Sequence, residues 1–207
     1  MTIQEAYNNW SSTYDADANL TRDLDQQVTT SLLGDRRFDS IIEVGCGTGK
    51  NTSLLSRIGG QVFAIDFSER MVAFAKEKVP FTNVTFVLAD VSRPWPCPNH
   101  SADLVVCNLV LEHIENIGFV FSEAARTLES HGTFFVCELH PCRQYEGKKA
   151  TFQREDRTIM IPSFVHHLSD FLDAAERNAL TLEKADEWWH EKDHDAPPRL
   201  VSFSFVK

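Results

Sequence analysis

Ser40-Ile41-Ile42-Glu43-Val44-Gly45-Cys46-Gly47-Thr48-Gly49-Lys50 is the stretch that decides how the chain is read. Its first half, Ser40–Val44, is a short apolar run of the kind that forms a buried strand. Its second half sets glycine at alternate positions, so a tight turn can pass close under a ligand where any Cβ would collide. Asn51–Arg57 then has helical character, with Gly59-Gly60 as its stop. The free N–H groups and positive dipole end of that helix face the space above the turn. Position 50 is lysine. The spacing is therefore G-x-G-x-G, which differs from the dinucleotide pattern G-x-G-x-x-G.

Working outward, strands and helices alternate. Strands are expected at Gln61–Ile65, Val84–Leu88, Leu104–Asn108 and Thr133–Leu139. Between them stand a helix capped by Ser68 and running through Lys78, a proline-rich turn at Arg93–Pro98, and a helix over Glu115–Leu128 with His131-Gly132 beyond it. That order predicts an α/β fold with a parallel, doubly wound sheet covered on both faces. Before it, Leu20, Leu24, Val28 and Leu32 recur at helical spacing, and Gly34 is placed to end that helix in the left-handed conformation. After residue 140 the pattern changes. A small hairpin is expected from Ala150–Glu155 and Arg157–Ile161, then a capped helix over Ser169–Asn178, then strands Thr181–Trp188 and Leu200–Val206. The whole, 1–207, reads as one domain with four parts: an N-terminal helical lid (1–34), a core (38–139), a lid insertion (140–168), and a closing helix with a strand pair (169–207).

The 207 residues are 43% hydrophobic, enough for a full core, which excludes disordered and fibrous classes. Thirty acidic against 20 basic residues give a net charge of −10, which disfavours bulk binding to nucleic acid. The five cysteines are odd in number and form no C-x-x-C pair, so a disulfide framework or a thiolate zinc site is not expected. No stretch approaches the roughly 20 apolar residues that span a bilayer. The expectation is a cytoplasmic protein, monomer or homodimer, without a membrane span.

Two further acids give the glycine turn its meaning. Asp66 ends the second strand in Ala64-Ile65-Asp66-Phe67-Ser68, where a carboxylate can accept both hydroxyls of a ribose. Asp90 ends the third strand in Leu88-Ala89-Asp90-Val91, where it can accept from an adenine amino group. With Glu43, three acids at three successive strand ends suit a nucleoside without a pyrophosphate. These segments, together with Ala102-Asp-Leu-Val-Val-Cys-Asn108-Leu109-Val-Leu-Glu-His113-Ile, resemble the class I S-adenosylmethionine-dependent methyltransferases. Within that class they look like the small-molecule type 11 branch that includes the ubiquinone/menaquinone biosynthesis methylases. The resemblance covers residues 38–139 and implies a mostly parallel seven-stranded sheet whose last two strands pair antiparallel. It implies S-adenosyl-L-methionine as cofactor, S-adenosyl-L-homocysteine as product, and a small-molecule methyl acceptor on O, N or C. By the same match Glu43, Gly45, Cys46, Gly47 and Gly49 form the loop around the methionine part, and Asp66 takes the ribose. Phe67 and Met71 flank adenine, Asp90 and Val91 meet its edge, and Asn108 and Leu109 lie beside the methionine part. Tyr14, in an aromatic N-terminal segment, closes over that end. Cys46 reads as a small filler, because a thiol there would compete for the activated methyl.

Direct displacement on a sulfonium needs an in-line acceptor and a dry site, and a hydroxyl or ammonium acceptor also needs a base. His113 and His140 are the candidates for that base, with His166 and His167 behind them. Tyr7, Trp10, Arg143 and Tyr145 are placed in the acceptor pocket or its lid. The run from His140 to Lys149 with Arg154 and Arg157 carries five positive charges against Glu146, Glu155 and Asp156. His190 and His194 have a metal-ligand spacing that helps only on a helix, and Pro197-Pro198 argues against one. No metal is expected. The competing functions are a tRNA or RNA-nucleoside methyltransferase, whose support is the basic lid, and a non-catalytic S-adenosylmethionine-binding module.

Overall fold

Neighbouring strand residues go to opposite faces, and this sorts the apolar side chains into two layers. Ile42, Val105, Phe134 and Val136 lie in one core layer. Their neighbours Ile41, Leu104, Val106, Phe135 and Cys137 lie in the other. The first layer is closed by Phe121 and Phe171, the second by Leu24, Val28 and Leu55. A sheet buried on both faces explains why its central strands read as nearly continuous apolar runs. The computed structural model describes residues 1–154 and 157–207, without the Arg154 side chain. Glu155 and Asp156, to which part of the expected hairpin and of the charge balance was assigned, lie outside the described residues.

The elements are α1 (Ile3–Trp10), α2 (Leu20–Leu33), β1 (Phe38–Val44), α3 (Thr52–Ile58), β2 (Gly59–Asp66), α4 (Glu69–Lys78), β3 (Val84–Leu88) and β4 (Ala102–Asn108). They continue as α5 (Ile117–Thr127), β5 (Leu128–Leu139), α6 (Pro141–Tyr145), β6 (Thr151–Arg154), β7 (Arg157–Met160), α7 (Leu168–Arg177), β8 (Thr181–Trp188) and β9 (Leu200–Val206). The seven-stranded sheet has the order β3-β2-β1-β4-β5-β9-β8. β1 to β5 pair parallel, and β9 runs antiparallel to both β5 and β8. The strand order reverses between β1 and β4, which opens a crevice beyond their carboxyl ends. No described helix is long and apolar enough to cross a membrane.

Several local expectations change. Gly59-Gly60 opens β2 rather than merely stopping α3. The two strands approach so closely there that an added Cβ would meet Ile41 Cδ1 at 2.7 Å or the Asp39 carbonyl oxygen at 2.8 Å. β5 starts at Leu128, paired with Ala102, and runs through His131-Gly132, which the sequence places in a connection. Gly34 ends α2 with φ −60°, right-handed rather than left-handed. The short helix α6 has no expected counterpart, and Pro141 at its first turn is its visible cue.

α2 belongs to the core, since Leu24, Val28 and Leu33 fill the second layer. α1 is the N-terminal piece in a lid position. Ala6 and Trp10 of α1 form a third, small cluster with Phe152 and Ile161 of the insertion. The Trp10 and Phe152 rings stack with centroids 5.5 Å apart and planes at 15°.

Candidate active site

A cavity of about 260 Å³ lies beyond the carboxyl ends of β1, β2, β3 and β4. The glycine turn makes its floor. Gly45 has φ +74°, and a Cβ on it would sit 2.2 Å from Val110 Cγ2. Gly47 has φ +53°, and nothing lies within 4 Å of where its Cβ would be. Side-chain-free backbone therefore faces open space at that point. Asp66 ties the turn to the next strand by accepting from the Gly47 N–H at 2.9 Å and the Ser68 N–H at 2.8 Å. Burial pushes its carboxyl up to about 6, against the pull of those N–H donors. Each carboxylate oxygen has a second lone pair, so both can also accept from a ligand.

Buried polar groups line the rest. Glu43 accepts from the Thr52 hydroxyl at 2.6 Å, and burial raises its carboxyl to about 8. Asp25 accepts from Asn51 Nδ2 at 2.8 Å and Asn108 Nδ2 at 2.6 Å, and burial raises it to about 6. The Arg22 guanidinium lies over the Tyr14 ring, 3.9 Å from its centroid, and donates to the Asp17 carbonyl at 2.8 Å and to the Tyr14 carbonyl. Arg22 Nε, Asn51 Oδ1 and Asn108 Oδ1 are buried without a hydrogen-bond partner. All three residues line the cavity. Asp90 is more exposed. Its carboxylate accepts from the Ser92 N–H at 2.9 Å and the Ser92 hydroxyl at 2.6 Å, which closes the turn after β3.

A second cavity of about 380 Å³ adjoins the first, sharing Tyr7, Tyr14, Arg22 and Leu109 as lining. Tyr7 lies 2.7 Å from His113 Nε2. His113 Nδ1 lies 3.0 Å from the Pro162 carbonyl oxygen. A carbonyl only accepts, so Nδ1 carries the proton, and Nε2 accepts from the Tyr7 hydroxyl. Burial holds the imidazole below its ordinary value and the phenol well above its own. At neutral pH the pair is thus a neutral base with a protonated tyrosine in front of it. Glu138 shapes this wall by accepting from the N–H groups of Val110 and Leu111 at 2.8 and 2.9 Å.

A family model described as a methyltransferase domain (type 11) matches residues 42–136. Over those residues the chain is similar to the S-adenosylmethionine-dependent methyltransferases. The demethylmenaquinone methyltransferase of Tropheryma whipplei (strain Twist) is 29% identical over 165 residues, which is 79% of this chain and 66% of that protein. The malonyl-[acyl-carrier protein] O-methyltransferase of Bacillus cereus is 28% identical over 165 residues, 76% of this chain and 60% of that protein. The chain spans between a third and two thirds of the length of the first curated relatives it matches. An S-adenosylmethionine-dependent methyltransferase from Mesorhizobium loti superimposes with a TM-score of 0.72 at 19% identity, over 87% of this chain and 96% of that one. The N-methyltransferase NodS from Bradyrhizobium japonicum, in complex with S-adenosyl-L-homocysteine, gives 0.74 at 14% identity over 100% and 99%.

The fold brings most of the residues singled out in the sequence together. Tyr14, Glu43, Gly45, Cys46, Gly47, Asp66, Phe67, Met71, Asp90, Val91, Asn108 and Leu109 all line the first cavity, as do Tyr7 and His113. Gly49 does not. It packs against Ala75 of α4 and Val79 just after it, where a Cβ would have 3.1–3.3 Å contacts. Burial raises the Cys46 thiol well above its ordinary value, which suits a filler. Trp10 and Arg143 line the second cavity. His140 lines neither cavity: it caps α6 by accepting from the Cys142 N–H at 3.1 Å, and its Nε2 lies 3.0 Å from Glu187. Tyr145 also faces elsewhere, half exposed and 2.6 Å from His167 Nδ1. His166 points its Nε2 at the carbonyls of Leu111 and Ile114. His190 and His194 sit in a turn, so their helical spacing is not realised.

Arg22, Asp25, Glu112 and Glu138 are what sequence reasoning missed. Arg22 and Asp25 had a signal, since with Thr29 they fall at i, i+3 and i+7 on the same stripe of α2, among buried residues. A charge on a core-facing stripe is worth a functional question. Glu112 and Glu138 had none, because their burial depends on the loop after β4 folding over β5.

Proposed function

We propose that the protein transfers a methyl group from S-adenosyl-L-methionine to a small-molecule O, N or C acceptor. One observation carries the reading. The glycine turn, Asp66, Asp90 and Asn108 line one cavity at the crevice between β1 and β4, and a second cavity shares its wall. The residues fit the cofactor. Gly47 leaves backbone open to it, and Asp66 keeps lone pairs for two ribose hydroxyls. The orphaned atoms of Arg22, Asn51 and Asn108 lie where a charged, polar methionine end needs partners. Phe67, Met71 and Val91 offer apolar flanks to a base, and Asp90 sits at their edge. When bound, the cofactor supplies an electrophilic methyl group on sulfur.

The chain's own residues orient the acceptor, exclude water and take a proton. Tyr7, Tyr14 and Leu109 stand between the two cavities, so the acceptor atom belongs beside them. Trp10 lines the second cavity beside them, with the Phe152 ring stacked on it. The Tyr7 hydroxyl accepts a proton from the acceptor as it passes its own to His113 Nε2, and Pro162 holds the imidazole in the tautomer this requires. The relatives are named for a demethylmenaquinone and for a malonyl group, two different acceptors on one scaffold. The test is calorimetry with S-adenosyl-L-homocysteine and with NAD, followed by a metabolite screen for methyl transfer. Binding of the first and turnover of a metabolite are expected. NAD binding without S-adenosyl-L-homocysteine binding would overturn the reading.

A further inference from the structure

We propose that the second cavity takes an anionic acceptor, a molecule bearing a carboxylate or phosphate that is held at the Arg143–Arg199 end while the methylated atom sits at the Tyr7 end. The inference rests on the methyltransferase reading and adds to it the chemical class of the acceptor. Its starting point is a charge inversion. The chain holds 30 acidic and 20 basic residues. Among the described residues lining this cavity, however, Arg143, Lys148, Lys149 and Arg199, together with Arg22 on the wall shared with the cofactor side, face a single acid, Glu112. Burial raises Glu112 to about 7, so at neutral pH even that carboxyl is only partly charged.

The cations are only partly offset from behind. Arg143 and Arg199 share one carboxylate: Arg143 Nη2 lies 3.0 Å from Asp193 Oδ1, and Arg199 donates to the same carboxylate through Nε at 2.8 Å and through Nη2. Its arginine partners hold Asp193 at about 2, so it contributes one full negative charge and the trio keeps one net positive charge. The Arg143 Nη2 contact has the distance of an ion pair but not the angles of a hydrogen bond, which leaves the guanidinium short of an acceptor. Arg22 meets carbonyl oxygens and aromatic faces and, among the described residues, no carboxylate. Both Arg22 and Arg143 are 8% exposed. Desolvated guanidinium groups in such surroundings are costly unless an anion joins them. Lys148 and Lys149 add two exposed, flexible charges at the rim.

Sheet order gives the cavity a direction. Leu109 follows β4, next to β1 and the cofactor side, whereas Arg143 follows β5 and Arg199 precedes β9, one and two strands further out. An acceptor with its anion on the arginines therefore points its other end back toward Tyr7 and His113. A bidentate guanidinium suits carboxylate and phosphate alike, so the shared feature is a planar or tetrahedral oxyanion.

The experiment is an amide NMR titration of the full chain, with and without S-adenosyl-L-homocysteine. The probes are malonate and inorganic phosphate, with malonamide as the neutral match. Malonate or phosphate should shift the amides of Leu139, Thr151 and Leu200 saturably, and malonamide should leave them in place. The variant Lys148→Gln/Lys149→Gln, altered only at exposed rim positions, should bind the anion about tenfold more weakly with unchanged affinity for S-adenosyl-L-homocysteine. Malonamide acting as strongly as malonate would overturn the proposal. So would anion shifts confined to other surfaces, or full anion affinity in the lysine variant. Loss of S-adenosyl-L-homocysteine binding in the unaltered protein would break the methyltransferase reading instead, and calorimetry reads it separately.

Discussion

The two cavities share Tyr7, Tyr14, Arg22 and Leu109, yet they are built in opposite ways. The cofactor-side cavity is a product of the sheet edge. Its floor is backbone, and its central acid is fixed by N–H groups of the turn it faces. The acceptor-side cavity has no such floor. Its walls are side chains from α1, the start of α2, the loop after β4, the insertion and the start of β9. A backbone-built site tolerates few changes, because the turn, the strand end and the acid are one unit. A side-chain-built site can be rewritten residue by residue without disturbing the sheet. Ligand chemistry on the cofactor side is thus tied to the fold, and acceptor chemistry is not.

The largest effect that would break this contrast is expected at Asp66. Asp66→Ala removes the acceptor for two loop N–H groups as well as two charge-assisted bonds to a ribose, each worth roughly 1.5–3 kcal/mol. Affinity for S-adenosyl-L-homocysteine should fall more than about a hundredfold by calorimetry. A loss below about tenfold would mean that the sheet edge does not carry the binding.

Next in size is Tyr7→Phe, which cuts the proposed proton path from the acceptor to His113 and leaves the sheet edge alone. Turnover should drop about a hundredfold, with S-adenosyl-L-homocysteine affinity within about twofold. The pH profile sharpens the point. The His113 imidazole is held below its ordinary value by burial, and a base works only when unprotonated. The rate should rise with pH through that lowered value and be level by neutral pH. A rate that climbs only above the ordinary histidine range would show that His113 is not the base.

The smallest effect is expected at the lid. Phe152→Ala removes the ring stacked on Trp10, in a cluster separate from both core layers. Local opening draws on local contacts, so amide exchange in α1 should quicken about tenfold while exchange in β1, β4 and β5 stays as it was. Uniform acceleration across the sheet would mean that the lid and the core unfold as one.

Much of the first cavity was legible because its signals are short-range. Glycine at positive φ, an acid directly after an apolar strand and a helix start are all set within a few residues. The boundaries that failed depend on pairing partners. β5 reaches back to Leu128 because Ala102 lies opposite it, and Gly59 starts a strand because Ile41 lies close against it. The second cavity was legible only as a set of leftover segments. Trp10 and Arg143 reach it, but Tyr145 and His140 turn to His167 and Glu187. Which way a side chain just past a strand end points is decided by the loop it enters.

The sequence by itself determined the alternation of the main strands and helices, the glycine turn and the acids at or just past the ends of β1, β2 and β3. Those features repeat with the periods of the backbone or follow from the conformations single residues allow. The tertiary structure alone decided that Tyr7 would meet His113, 106 positions away, and that a buried Arg143 would share the Asp193 carboxylate with Arg199. Those meetings depend on the strand order and on which helix folds over which edge, and no local period in the chain carries that information.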